Sequence, residues 1–224
     1  LASEILTQRE NLESSFDDET KEQAMANILQ IGTSAGGARA KAIIAWNPLT
    51  NEVRSGQVKT KPGFEYWIIK FDGASNNGDK ELADPEGYGV IEYAYSLMAK
   101  DAGITMGKCR LFEENNRRHF MTQRFDRSAS NEKLHMQSLA ALGHFDYKLA
   151  RAYSYEQAFM IMRQLHLSMN EIEEQFRRTV FNVIARNQDD HVKNIAFLMN
   201  KSGKWSLSPA FDVTYNFNPS GEWT

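Results

Sequence analysis

Arg186-Asn187-Gln188-Asp189-Asp190-His191-Val192-Lys193-Asn194, followed by Pro209-Ala210-Phe211-Asp212-Val213, is the stretch on which the reading of this chain turns. It holds a carboxylate, an amide five residues later and a second carboxylate 18 residues beyond that. A site that moves a phosphoryl group needs these parts: a base for the acceptor hydroxyl and two oxygen ligands for Mg²⁺. Spacing assigns the roles. In catalytic loops of this chemistry four residues separate the base Asp from the metal-binding Asn, an interval that Asp189 to Asn194 fits and Asp190 to Asn194 does not. Asp189 is therefore the expected base. Mg²⁺ enters with substrate phosphates and needs only one or two protein carboxylates, so Asn194 and Asp212 suffice as its ligands. The bland alternative is a polar turn that closes one strand over 176–185 and opens another over 194–199. The nonapeptide alone does not decide between them.

Features upstream do. Gly32-Thr33-Ser34-Ala35-Gly36-Gly37-Ala38-Arg39-Ala40-Lys41 lies between two apolar runs, and backbone N–H groups in such a turn form a nest that can cover ATP phosphates. It is neither Gly-x-Gly-x-x-Gly nor a Walker sequence, so by itself it reads equally as a flexible hairpin loop. Tyr66-Trp67-Ile68-Ile69-Lys70 ends an apolar strand on a lysine, the place where a cation pairs with the α- and β-phosphates. The partner expected for Lys70 is Glu92 on the next helix, ahead of Glu86 at the helix start. Phe120 to Arg127 then offers an apolar slot for adenine, with hydrogen bonds from the main chain of Gln123, Arg124 and Phe125.

Asn-x-Asp-Asp-His-x-Lys-Asn followed by Ser-Pro-Ala-Phe-Asp-Val resembles the HipA toxin kinases, serine/threonine kinases of bacterial toxin-antitoxin modules, over a span from about Ile28 to the last residue. The resemblance implies an α+β, protein-kinase-like fold of two lobes, with a sheet-rich lobe over residues 1–127 and the start of a helix-rich lobe over 128–224. It implies ATP and Mg²⁺ as cofactors, with Ser34, Ala35, Gly36, Gly37, Lys70, Glu92, Gln123, Phe125 and His191 around the nucleotide. Ser34 falls where the family is autophosphorylated, and a phosphate there would repel the triphosphate or eject the loop. The family pattern usually has Glu where Gln123 stands. His191 would contact phosphate or brace the loop, and Lys193 would stabilise the transferring charge. The implied partners are a protein substrate, with aminoacyl-tRNA synthetases the family's substrate class, and a helix-turn-helix antitoxin through which DNA is met only indirectly. A phosphotransferase for a small molecule or lipid head group, and a non-catalytic antitoxin-binding module, are the competing readings. The chain opens on Leu1 and stops shortly after Asp212, so it reads as a kinase-core fragment.

Composition limits the alternatives. With 42% hydrophobic and 25% charged residues the 224-residue chain is an ordinary globular one, and a net charge of −3 gives no footprint for nucleic acid or an anionic membrane. The lone Cys109 excludes an internal disulfide and reads as a small buried side chain in a reducing, cytoplasmic setting. No apolar run approaches a membrane span. His119, His135, His144 and His166 lack metal-ligand spacing and read as surface or packing residues. Helices are expected over 2–10, 20–29, 83–102, 153–165 and 170–185, and strands over 42–46, 66–71, 123–126 and 194–199. Asn47 to Asn51 carries turn chemistry, and Gly103 is placed to end the helix marked by Ile91, Tyr95, Met98 and Ala102.

Overall fold

The computed structural model describes residues 13–15, 41–72, 87–114, 117–128, 130–149 and 151–216. The helices expected over 2–10 and 20–29, and the glycine-rich segment with Ser34, Ala35, Gly36 and Gly37, lie outside the described residues. The chain divides into two compact units, Leu1–Tyr93 with Lys108–Arg124, and Ala94–Gly107 with Phe125–Thr224.

The first unit is built on an antiparallel sheet of six strands: β1 (Glu13–Ser15), β2 (Lys41–Trp46), β3 (Glu52–Ser55), β4 (Glu65–Lys70), β5 (Cys109–Glu114) and β6 (Arg117–Gln123), in the order β1-β3-β2-β4-β6-β5. Alternation along β2 and β4 sends Ala42, Ile44, Trp46, Trp67 and Ile69 to one face, where they pack with Val53, Phe71, Phe112 and Met121. Register places Ile44 opposite Trp67 and Ala42 opposite Ile69, pairs of the apolar and aromatic kind that stabilise sheets. The β2–β3 turn is closed by its first residue, as Asn47 Oδ1 accepts the Leu49 N–H at 2.9 Å, and Asn51 takes the left-handed φ of 56° that asparagine tolerates.

The strand expected over 123–126 is displaced toward the N-terminus. Strand β6 ends at Gln123, Arg124 N–H still reaches Tyr66 O at 2.8 Å, and the chain then turns at Phe125 and Asp126. Strands β3 and β5 escaped sequence reasoning because three of the four residues of Glu52-Val53-Arg54-Ser55 are polar and Cys109 to Glu114 ends on two glutamates.

Helix α1 (Tyr88–Asp101) follows. Buried Asp72 receives its first turn: the carboxylate accepts N–H bonds from Gly87 at 3.0 and 3.1 Å and from Gly89 at 3.4 Å, a tertiary substitute for an N-cap. A Cβ on Gly89 would lie 2.3 Å from Arg118 O, so only glycine lets the helix approach β6. The far end closes as expected, with Gly103 at φ 77°, its N–H on Lys100 O and the Ile104 N–H on Ala99 O, a Schellman arrangement. The inward face is not the one marked by Ile91 and Met98, which are exposed; Glu92, Ser96 and Ala99 are buried instead. Asp72→Ala should leave buried amides unpaired and lower stability by about 1–3 kcal/mol, measured by denaturant unfolding.

His119 on β6 sits between Phe71 and Phe112 and accepts the Asp72 N–H on Nδ1 at 2.9 Å. Burial holds its pKa below the ordinary 6.5. The unfolded chain therefore binds the proton first as pH falls, and stability present above pH 6.5 should decline on acidification toward the depressed folded value. Unfolding titrations of wild type and His119→Gln should differ in slope below that pH and run parallel above it.

The second unit holds a three-stranded antiparallel sheet, β7 (His135–Ser138), β8 (Ala196–Met199) and β9 (Trp205–Leu207), with β8 central, and helices α2 (Leu139–Gly143), α3 (Tyr155–Gln164) and α4 (Met169–Ile184). Capping boxes start α3 and α4: Gln157 Oε1 accepts the Ser154 N–H at 2.8 Å and Glu171 Oε2 the Ser168 N–H at 2.9 Å. Leu139, Ala158, Met162, Val192, Ile195 and Phe197 form one core cluster, and Ala99, Ile104, Ala210 and Val213 a second. No strand runs over 176–185: residues 176–184 lie in α4 with Ala185 as its C-cap, while 196–199 is the strand β8.

Candidate active site

In the first unit the apolar run of β4 carries Lys70 to the strand end, where it stands in register with Lys41 on β2 and Phe120 on β6. A like charge directly across a ladder is unfavourable, and Glu92 answers it: Lys70 Nζ donates to Glu92 Oε1 at 2.5 Å, with side chains only 12% and 2% exposed. Lys70 also lies 5.8 Å from the centre of the Phe120 ring. The expected pair is thus brought together, and the burial of Glu92 on α1 is explained by its partner. Of the three residues whose main chain was expected to serve adenine, two have their donors engaged within the sheet: Gln123 N–H bonds to Lys108 O at 2.8 Å and Arg124 N–H to Tyr66 O. Half-buried Cys109 Sγ lies 3.7 Å from Thr122 Oγ1 in the same sheet, less enclosed than its sequence context suggested.

In the second unit the loop from Arg186 to Asn194 is pinned along its length. Tyr95 Oη donates to Ala185 O at 2.6 Å, Arg186 turns the chain at φ 55°, and Asn187 and Asn216 bridge two parallel segments. Asn187 Nδ2 donates to Asn182 Oδ1 at 3.0 Å, and Asn182 Nδ2 to Asp190 Oδ2 at 3.2 Å. At the other end Leu139 N–H bonds to Ile195 O and Ala140 N–H to Val192 O. Asn182 and Tyr95 were not assigned from sequence. Two asparagines five residues apart, Asn182 and Asn187, are the signal that could have found the first, while nothing local pointed to Tyr95.

The adjacent aspartates have opposite environments. Asp190 is half-buried and held by Asn182, and desolvation pushes its carboxyl up to about 6. The side chain of Asp189 is 32% exposed, while its carbonyl accepts Asn194 Nδ2 at 2.7 Å. That clip engages the nitrogen of the Asn194 amide, whose oxygen is the atom type a hard cation prefers. Asp212 lies at φ 57°, in the left-handed region, preceded by Phe211, whose ring packs 5.5 Å from that of Phe125. Among the described residues no three His, Cys, Asp or Glu side chains form a metal cluster; an amide and a single carboxylate fit a cation delivered with phosphates and not a dedicated cage.

His191 Nε2 lies 3.7 Å from Asp189 Oδ1, and its ring meets Tyr147 edge-on at 6.0 Å. Lys193 Nζ sits 3.3 Å above the centre of the same tyrosine, a cation–π contact. Tyr147 went unremarked in the sequence, being one aromatic among several in a loop. His135 packs on Trp205, and His144 and His166 take left-handed turns, so these histidines and His119 serve packing and turns.

A mixed sheet-and-helix fold with a buried lysine–glutamate pair, and a pinned loop bearing Asp189, Asn194 and then Asp212, is the class of protein so described. The chain belongs to the HipA-like C-terminal domain family, whose model matches residues 33–222. A Haemophilus influenzae protein named as a candidate kinase is 27% identical over 165 residues, 65% of this chain and 48% of the relative. The fold is similar to that of HipA from Shewanella oneidensis MR-1, solved with HipB and operator DNA, at a TM-score of 0.63 and 17% identity over 96% of this chain and 50% of that one. The Helicobacter pylori proinflammatory kinase CtkA gives a TM-score of 0.49 at 17% identity, covering 66% of this chain and 50% of that chain. The chain therefore spans about half the length of the relatives it matches. No helix among the described residues is long and apolar enough to cross a membrane.

Proposed function

We propose that this chain is the core of an ATP-dependent serine/threonine protein kinase with the two-lobe, kinase-like organisation expected from its sequence. The observation that carries the reading is the clip between Asn194 Nδ2 and the Asp189 carbonyl. It fixes in one rigid loop an accessible carboxylate and an amide ligand at the spacing phosphoryl transfer requires. Membership of the HipA-like family supports the same reading.

In this account Lys70, held by Glu92, pairs with the nucleotide phosphates, and the glycine-rich segment with Ser34, Ala35, Gly36 and Gly37 covers them. Phe125 and the carbonyl edge near Gln123 serve the adenine. Asn194 and Asp212 hold Mg²⁺, which when bound with ATP neutralises charge on the phosphates. Asp189 accepts the proton of the acceptor hydroxyl as its oxygen attacks the γ-phosphorus and the bond to the ADP oxygen breaks. Lys193, moved from Tyr147 toward the phosphate, and His191 offset the developing charge. Ser34 is the proposed autophosphorylation site. The biological role that fits is a toxin that inhibits translation and promotes dormancy, acting on a protein substrate such as an aminoacyl-tRNA synthetase. A helix-turn-helix antitoxin would restrain it, a partnership suggested by the HipA–HipB–DNA complex of Shewanella oneidensis.

Calorimetric titration with Mg-ATP tests the nucleotide half of the reading. Glu92→Gln leaves the Lys70 charge buried without its carboxylate and should cost about 3–5 kcal/mol of stability; in the folded fraction it should also weaken Mg-ATP binding. Wild-type affinity in Glu92→Gln would remove the pair from the nucleotide site.

A further inference from the structure

Asp72 is a buried carboxylate that no step of the phosphotransfer scheme uses. It stands two residues after Lys70, and both side chains reach α1. Asp72 receives the N–H groups of Gly87 and Gly89 at the start of the helix, while Lys70 takes Glu92, three residues beyond Gly89 and just under one turn away. The end of β4 therefore grips one helix at two points with opposite charges. A carboxylate suits the positive end of a helix, and an ammonium suits the glutamate that follows. Two further contacts fix where the grip falls. The Asp72 N–H is bonded to Nδ1 of buried His119, which ties its backbone to β6. At Gly89 the helix backbone lies so close to Arg118 O that an added Cβ would stand 2.3 Å from it, so α1 has no room to move nearer the sheet.

We propose that Asp72 is a positioning residue of the nucleotide site: by holding the first turn of α1 it sets Glu92 against Lys70 and so keeps the lysine in place for phosphate. The inference rests on the reading of Lys70 as the cation that pairs with the nucleotide phosphates, and it adds the residue that controls this pairing. Asp72 acts only through the helix, since its carboxylate is spent on the amides of Gly87 and Gly89. Glu92 depends on that hold. Its side chain is 2% exposed, and a buried charge is tolerable only while the geometry of its pair is good. A helix released at its first turn carries Glu92 away from Lys70 and leaves the ammonium free to turn outward. Misplacing a group that orients substrate by about 1 Å can cost on the order of 10²-fold, so a small release of α1 is enough to be read in binding.

Three variants of the full chain separate this role from stability alone. Asp72→Ala leaves the helix no acceptor, Asp72→Asn keeps one acceptor oxygen, and Val53→Ala opens a cavity in the core of the same sheet without touching the contacts of Asp72. Wild type and variants are treated with formaldehyde and a borohydride, and methylation of Lys70 is followed by mass spectrometry; each is also titrated with Mg-ATP by calorimetry. Methylation of Lys70 should quicken by about tenfold in Asp72→Ala, the scale of a lost capping side chain. It should quicken less in Asp72→Asn and keep the wild-type rate in Val53→Ala, with Mg-ATP affinity falling in the same order. Lys70 as protected in Asp72→Ala as in wild type, or exposed equally by Val53→Ala, overturns the proposal. Wild-type Mg-ATP affinity in both Asp72 variants also overturns it and leaves the nucleotide reading standing. Methylation in the expected order, with no binding of Mg-ATP by wild type, supports the hold of Asp72 on Lys70 and overturns that reading.

Discussion

Asp189→Asn is expected to lower phosphoryl transfer by roughly 10²-fold or more, the scale of a positioned base, while Mg-ATP affinity stays near that of wild type. The substitution keeps the shape of the side chain and does not touch the Asp189 carbonyl that receives Asn194. It removes only the atom that takes the proton. Asp190→Asn is the internal control, because Asp190 is half-buried and held by Asn182, with desolvation raising its carboxyl to about 6. An amide there relieves desolvation and should leave the fold at least as stable at neutral pH. Rapid-quench measurement of transfer separates the two residues. Loss of transfer in Asp190→Asn alone, with Asp189→Asn active, would exchange their roles.

Asp212→Ala should abolish Mg²⁺-dependent ATP binding, since a triphosphate brought near Asp189 without its metal meets unscreened like charge. Alanine also carries a backbone penalty at φ 57°, of roughly 1–2 kcal/mol. Asp212→Asn is therefore the cleaner variant: asparagine tolerates the left-handed region and lacks only the charge. Calorimetry should find Asp212→Asn as stable as wild type and unable to bind ATP more tightly with Mg²⁺ than without it. A preserved Mg²⁺ dependence would take Asp212 out of the metal site.

What was legible in the sequence follows the range of the interactions. Strands β2 and β4 declared themselves through Ala42 to Trp46 and Tyr66 to Lys70, whose apolar side chains alternate or run together. Helices α3 and α4 were visible as long helical patterns over 153–165 and 170–185, although their caps at Ser154 and Ser168 were not read. Glu92 was found because a lysine at the end of an apolar strand demands an anion, and a glutamate on the following helix is within reach. The inward face of α1 was not legible: Ile91 and Met98, whose spacing marked the helix, are exposed, and the Lys70 charge draws Glu92 inside. The capping of α1 by Asp72 and the support of the loop by Asn182 and Tyr95 join residues far apart in the chain. No local pattern encodes such contacts. The displaced end of β6 is of the same kind, since Arg124 continues the ladder only through Tyr66 on another strand.

The central claim is tested most directly by incubating the protein with Mg²⁺, γ-labelled ATP and cell lysate, then analysing the labelled proteins for phosphoserine and phosphothreonine. The account predicts label on serine or threonine of a discrete protein band, lost without Mg²⁺ and lost in Asp189→Asn. Absence of any protein-bound label with wild type, or equal labelling by Asp189→Asn, would contradict it.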